Sequence, residues 1–173
     1  YLISKFKIMI IGLCLLIFAT ACHGVSAAEQ KKDIGAQLET SAQSAILMDG
    51  NGTVLYEKNS HKRLPPASVT KSMTLLLAVE AVEQGRVKLS DLVSVSENSW
   101  RQGGSQIWLE PGEQINLHDM LIAVSVVSAN DAAVAVMEHI YGNEQAAVAA
   151  MNQRAQQLGL ADTHFANVNG LPT

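Results

Sequence analysis

The sequence is 173 residues long and carries 12 lysines and arginines against 16 aspartates and glutamates, a formal net charge of −4. That balance argues against a nucleic-acid binder, which needs a clustered basic excess. With 48% hydrophobic and only 16% charged residues the chain is not of the disordered class, its length suits one domain rather than two, and 5% aromatics disfavour an aromatic binding module.

Lys5 and Lys7 precede an apolar run over 8–19, which is shorter than the roughly 20 residues a membrane-spanning helix requires. Val25-Ser26-Ala27 then places small residues where a signal peptidase cuts. The pattern predicts a secretory signal peptide over 1–27 and export across the cytoplasmic membrane. The alternatives are an uncleaved anchor and lipid attachment at Cys22. Lipidation sites favour a larger aliphatic residue where Ala19 stands, which weighs against the second. Cleavage after Ala27 would remove both cysteines, Cys14 and Cys22, so disulfides, thiol catalysis and cysteine-ligated metal are excluded from the mature chain. Residues 28–43 are polar and rich in Ala and Gln, a linker.

A short apolar run over 44–48 and the segment Thr53-Val54-Leu55-Tyr56-Glu57-Lys58 flank Asp49-Gly50-Asn51-Gly52 and predict a β-hairpin. Pro65-Pro66 forces an extended approach to the next element. From Ser68 to Glu83 apolar residues recur at helical spacing and nearly all round, predicting a buried helix stopped by Gly85. Residues 90–112 are loop-rich. A second helix is expected over 117–127. A third, capped by Asn130 or Asp131, should run to Tyr141 and stop at Gly142, and a fourth should start at an Asn143 cap and end near Gly159. Mixed strand and helix content gives an α/β (α+β) fold, with an antiparallel hairpin and a helical cluster.

Two places in this order can carry chemistry. In a helix starting at Ser68, the Lys71 amine lies one turn on and on the same face as the Ser68 hydroxyl. A serine is a weak nucleophile until a base takes its proton, and a lysine can be that base when burial lowers its pKa. Ser4 and Lys7 have the same spacing in the leader, so spacing alone is weak; the rigid Pro-rich entry and apolar helix distinguish Ser68. The plain alternative is Ser68 as a helix cap and Lys71 as a solvated side chain. At 128–130, Ser128 could relay a proton and the Asn130 amide could bind a peptide group, or both could simply stop and start helices. His61, His118, His139 and His164 lack metal-binding spacing, so no metal or other cofactor is expected. Trp100 and Trp108 are expected to anchor the loop around Gly103-Gly104-Ser105, and Ser105 could line a cleft. Asp119 and Asp131 read as helix-cap or first-turn acids.

Taken together, the motifs Pro66-Ala67-Ser68-Val69-Thr70-Lys71, the run Gly-Gly-Ser-Gln-Ile-Trp-Leu-Glu-Pro-Gly-Glu over 103–113, and Ser128-Ala129-Asn130-Asp131-Ala132-Ala133 closely resemble the low-molecular-mass penicillin-binding proteins, the serine-type D-alanyl-D-alanine carboxypeptidases. The tail Leu158-Gly159-Leu160 with Thr163-His164-Phe165 agrees, and the resemblance runs from about Ser44 to the end. It implies the N-terminal part of a DD-peptidase/β-lactamase-like fold, with residues 44–173 a partial catalytic domain. By resemblance, Ser68 is the acylated nucleophile, Lys71 its general base, Ser128 the proton relay and Asn130 a substrate-binding residue. The implied partners are peptidoglycan pentapeptides and β-lactams, with a place in the cell envelope, cell-wall synthesis and cell shape.

Three departures stand out. The family more often has Gly at Ala129, and many relatives have His where Asn169 stands, so no role passes to Asn169. The family's third motif, Lys-Thr-Gly on a sheet-edge strand, does not occur in the sequence. The start at Tyr1 and the stop at Thr173 therefore read as a fragment, with the remaining strands and any membrane-attaching segment expected beyond it. Such a fragment alone is expected to be inactive. The competing functions are a β-lactamase or esterase of the same fold, separable by deacylation rate, and a non-catalytic wall-binding domain, in which Ser68 would never take a penicillin label.

Overall fold

The computed structural model describes residues 38–172. The expected leader at 1–27, with Cys14 and Cys22, and the first part of the linker lie outside the described residues. The chain divides into two compact units at the Lys62–Arg63 boundary. Among the described residues no helix is long and apolar enough to cross a membrane.

The first unit is the expected hairpin. Strand β1 (Ala45–Met48) pairs antiparallel with β2 (Val54–Lys58), Ala45 opposite Lys58 and Leu47 opposite Tyr56, with a register shift between Leu47 and Met48. The turn forms because Asp49 Oδ1 accepts from the N–H groups of Asn51 and Thr53, both at 2.8 Å, and Gly52 takes a φ of 86°. Residues 40–43, placed in the linker by composition, are tied to the hairpin's base. Lys58 Nζ donates to Thr40 O at 2.7 Å and Asn59 Nδ2 to Gln43 O at 3.0 Å.

The second unit is helical. A 3-10 turn (Ala67–Thr70) leads into α1 (Lys71–Glu83). Then come β3 (Leu92–Ser94), the one-turn α2 (Glu97–Trp100), β4 (Gln114–Asn116), α3 (Leu117–Val126), α4 (Asn130–Tyr141) and α5 (Glu144–Gln157). Helix α4 is the centre, buried without interruption from Asn130 to Met137. Its small alanines admit close neighbours on every side. Ala133 and Val136 share one apolar cluster with Ala78 and Ala81 of α1 and Met120 and Val124 of α3. Val134 and Met137 share the other with Met73 and Leu77 of α1 and Met151 and Ala155 of α5.

Several expectations are corrected. The 67–70 stretch is wound as 3-10, so the α-helix begins at Lys71 and not Ser68, and Ser68 caps nothing. Helix α1 is not buried all round: Ser72 and Val79 are exposed. The third helix is capped by neither Asn130 nor Asp131. Ala129 holds the cap position without a side-chain bond, while Asn130 is the helix's first residue. The 90–112 segment contains β3 and α2, too short to leave a periodic signal, with Leu92 opposite Asn116 in the β3–β4 ladder. Trp100 and Trp108 anchor nothing by burial, being 47% and 77% exposed. The Asn143 cap is as expected, its side chain accepting from Ala146 N at 2.8 Å, and Gly142 at φ 88° ends α4.

Candidate active site

Pro65-Pro66 delivers the chain to Ala67, which takes a left-handed φ of 49°. That reversal lifts Ser68 to an exposed position, while the next turn drives Thr70 and Lys71 inside. Lys71 is only 3% exposed. Its Nζ lies 3.2 Å from Ser68 Oγ and donates to the backbone carbonyl of Asn169 at 2.9 Å. Among the described residues no carboxylate lies within ion-pairing distance of it. Burial therefore acts uncompensated and pushes the Lys71 pKa below its ordinary value. A lysine in this state is readied to lose its proton and then to accept one from a neighbouring hydroxyl.

The Asn169 carbonyl comes from a segment that sequence reasoning left without a role. Residues 167–171 bind themselves and α1 closely. Asn167 Oδ1 accepts from Gly170 N at 2.7 Å, Asn167 Nδ2 donates to Leu171 O at 2.7 Å, and Thr74 Oγ1 donates to Val168 O at 2.6 Å. The bland amide side chains of Asn167 and Asn169 in a polar tail gave no signal for this, since the contact with Lys71 is made by backbone. The resemblance directed attention to the side chain at 169, but the group that meets Lys71 is the carbonyl.

Ser128 and Asn130 occupy the junction of α3 and α4. Ser128 is left-handed at φ 58°, whereas Ala129 is extended at φ −60° and fully buried. The methyl group where relatives more often have Gly thus meets no backbone requirement for positive φ. Asn130 N donates to Ser105 O at 2.8 Å and Asn130 Nδ2 to Gly103 O at 2.7 Å. Gly104 permits this approach, because a β-carbon there would lie 2.9 Å from Asn130 Nδ2. Ser128 Oγ and Asn130 Oδ1 are buried without a hydrogen-bond partner among the described residues. Buried polar atoms are normally satisfied, so both atoms keep unused hydrogen-bonding capacity. Neither is hydrogen-bonded to Ser68 or Lys71. The structure joins the two pairs indirectly, through Gln102-Gly103 and Asn169, since Asn169 Nδ2 donates to Gln102 Oε1 at 2.7 Å.

Asp131 is more than a first-turn acid. It is fully buried, and its carboxylate accepts from the N–H groups of Ile107 (3.1 Å), Leu109 (3.2 Å) and Ala132 (2.9 Å). It therefore ties the 103–109 loop to the start of α4, next to Asn130. Ser105 is exposed and contributes its carbonyl to Asn130 rather than its hydroxyl. A cleft of about 520 Å³ opens beside the site, lined by Gln102, Gly103, Glu144, Val148, Asn167 and Asn169 among others, but not by Ser68, Lys71 or Ser128.

An exposed serine, a buried lysine one turn on with no carboxylate beside it, and a Ser-x-Asn turn are the polar groups that this part of the fold brings near one another. The family model of the D-alanyl-D-alanine carboxypeptidases, peptidase family S11, matches residues 28–173, and the chain belongs to that family. It is 45% identical over 164 residues to the D-alanyl-D-alanine carboxypeptidase DacF of Bacillus subtilis, covering 94% of this chain and 41% of that protein. It is 36% identical over 137 residues to DacC of Escherichia coli, covering 75% and 34%. Among solved structures it resembles penicillin-binding protein 5 of Haemophilus influenzae, with a TM-score of 0.75 and 38% identity over 79% of this chain and 41% of that one. The DacD structure from Francisella tularensis gives a TM-score of 0.76 at 36% identity, over 80% and 34%. The chain thus spans about two-fifths or less of the length of these relatives.

Proposed function

We propose that this protein is an exported serine D-alanyl-D-alanine carboxypeptidase that removes the terminal D-alanine of peptidoglycan pentapeptides through an acyl-enzyme. The observation that carries the reading is the 3.2 Å approach of the buried Lys71 Nζ to Ser68 Oγ. Ser68 Oγ attacks the carbonyl carbon of the penultimate D-alanine as Lys71 takes the hydroxyl proton. The tetrahedral intermediate collapses, the peptide C–N bond breaks, and the departing amine receives a proton by way of the Ser128 hydroxyl. The Asn130 amide holds the substrate's peptide group. Water then attacks the Ser68 ester, releasing the shortened peptide and restoring the serine. A penicillin enters by the same attack, its β-lactam amide opening to leave an ester on Ser68.

Family membership supports peptidoglycan as substrate, the cell envelope as location and β-lactams as inhibitors. The leader-like 1–27 segment supports export. Incubating the complete protein with benzylpenicillin and mapping the adduct by mass spectrometry tests the reading. The expected label is on Ser68; label on another serine, or none, overturns it.

A further inference from the structure

A lysine amine is a compact group on a flexible four-carbon stem, with donors that rotate freely. Burying it near a serine does not by itself aim its lone pair. Once neutral, the Lys71 amine has two N–H donors and one lone pair, and the lone pair faces Ser68 only if a donor is committed elsewhere. The Asn169 carbonyl, 2.9 Å away, takes that donor. Whatever fixes this carbonyl therefore fixes the amine.

The carbonyl belongs to no helix or strand, so no ladder holds it. The bonds of Asn167 and the Leu171 N–H to Asn169 Oδ1, at 3.0 Å, secure the segment to itself, and Thr74 Oγ1 ties the neighbouring Val168 carbonyl to α1 at 2.6 Å. One bond reaches across to the 101–103 turn: Asn169 Nδ2 to Gln102 Oε1 at 2.7 Å. Gln102 is held in turn, its carbonyl accepting from Gln106 Nε2. Asn169 is 2% exposed, so its amide has little water to fall back on when the partner is lost.

We propose that the Gln102–Asn169 side-chain bond is a positioning clasp that holds the Asn169 carbonyl on Lys71 Nζ and thereby aims the amine at Ser68. The inference rests on the reading of Lys71 as the base. Gln102 and Asn169 act through Lys71, not on the reacting atoms.

The test compares Gln102→Met, which keeps length but loses both the acceptor and the Nε2–Asn98 O bond, with Gln102→Glu, which loses only that second bond and keeps an acceptor for Asn169, in the complete protein. Gln102→Ala serves as a second acceptor-free variant should the Met protein fold poorly. Benzylpenicillin acylation is followed across pH, and the Lys71 amine is titrated directly by nitrogen-15 NMR. In Gln102→Met the plateau acylation rate should fall roughly 10–100-fold, the scale of a misplacement of about 1 Å. Its acid limb and the Lys71 titration should both move to lower pH, because the ammonium loses the stronger, charge-assisted bond. Gln102→Glu should recover most of the rate. A Met or Ala variant with the parent's plateau, limb and Lys71 titration overturns the clasp. Failure of the parent to label at Ser68 counts instead against the proposed function, and the NMR titration still decides the clasp.

Discussion

A β-carbon added to Gly170 would lie 1.9 Å from the carbonyl oxygen of Ala67 and 2.8 Å from Thr70 Oγ1. The 167–171 segment thus lies flush on the turn that carries Ser68. Both backbones are left-handed where they meet, Ala67 at φ 49° and Gly170 at φ 85°. The contact keeps the segment that carries the Asn169 carbonyl close to the Ser68 turn, while the Asn169 side chain is tied separately to Gln102.

Gly170→Ala should therefore act twice. The left-handed backbone alone costs about 1–2 kcal/mol with a β-carbon present. The overlap with a backbone oxygen adds to that, because neither main chain can yield as a side chain would. Urea denaturation should show the loss, and penicillin labelling of the folded fraction should slow as the segment backs away from the Ser68 turn. Parent-like stability and labelling would mean the two backbones part at no cost.

The pH dependence of acylation follows from Lys71. Burial lowers its pKa below the ordinary 10.5, so the acylation rate should rise with pH and reach half its plateau below 10.5. The sign for stability is the same. Between the depressed native pKa and 10.5 the unfolded chain binds the extra proton, so stability rises with pH across that window. Lys71→Met should flatten that rise and abolish acylation. Lys71→Arg should also abolish acylation, because a guanidinium keeps its proton. A pH series of denaturation curves and labelling rates checks all three outcomes; a Lys71→Arg protein that still acylates would mean another group activates Ser68.

Ser128→Ala separates chemistry from folding. Ser128 Oγ is buried without a hydrogen bond among the described residues, so its removal breaks no bond described there. Alanine also tolerates the φ of 58° about as well as serine does. Melting should be nearly unchanged, while turnover falls by roughly 10²–10⁴-fold, the usual weight of a positioned proton donor. A large fall in melting temperature would show instead that the hydroxyl is structural.

The sequence made some of this legible and hid the rest for physical reasons. Ser68 and Lys71 could be paired because their contact is local, three residues apart in a helical turn. The hairpin and the Asn143 cap are likewise local, written in turn and cap chemistry. Asn169 meets Lys71 across 98 residues through a backbone carbonyl, which every residue possesses, so no side-chain pattern could announce it. The 3-10 start at Ala67 lies where Gly170 closes on the turn, a tertiary contact that the helical periodicity of 68–83 does not encode. Strands β3 and β4 are three residues each, too short for alternation to register. Trp100 and Trp108 misled because aromatic residues beside glycines often anchor a loop, whereas here a buried aspartate holds it.

That aspartate gives the last prediction. Asp131 has no exposure, and its carboxylate satisfies the N–H groups of Ile107, Leu109 and Ala132. Asp131→Ala would leave these buried donors unpaired, at about 1–3 kcal/mol for each that water cannot reach. Asp131→Asn keeps the shape but offers one acceptor oxygen, and turns an amide donor toward N–H groups that also donate. Ala should therefore destabilise by several kcal/mol and Asn by less, with hydrogen exchange at Ile107 and Leu109 accelerating in both. The loop those bonds hold supplies the Gly103 and Ser105 carbonyls to Asn130, so substrate affinity should weaken before the Lys71-dependent acid limb of acylation moves. Unchanged exchange at Ile107 and Leu109 in Asp131→Asn would show that the loop is held by its apolar contacts alone.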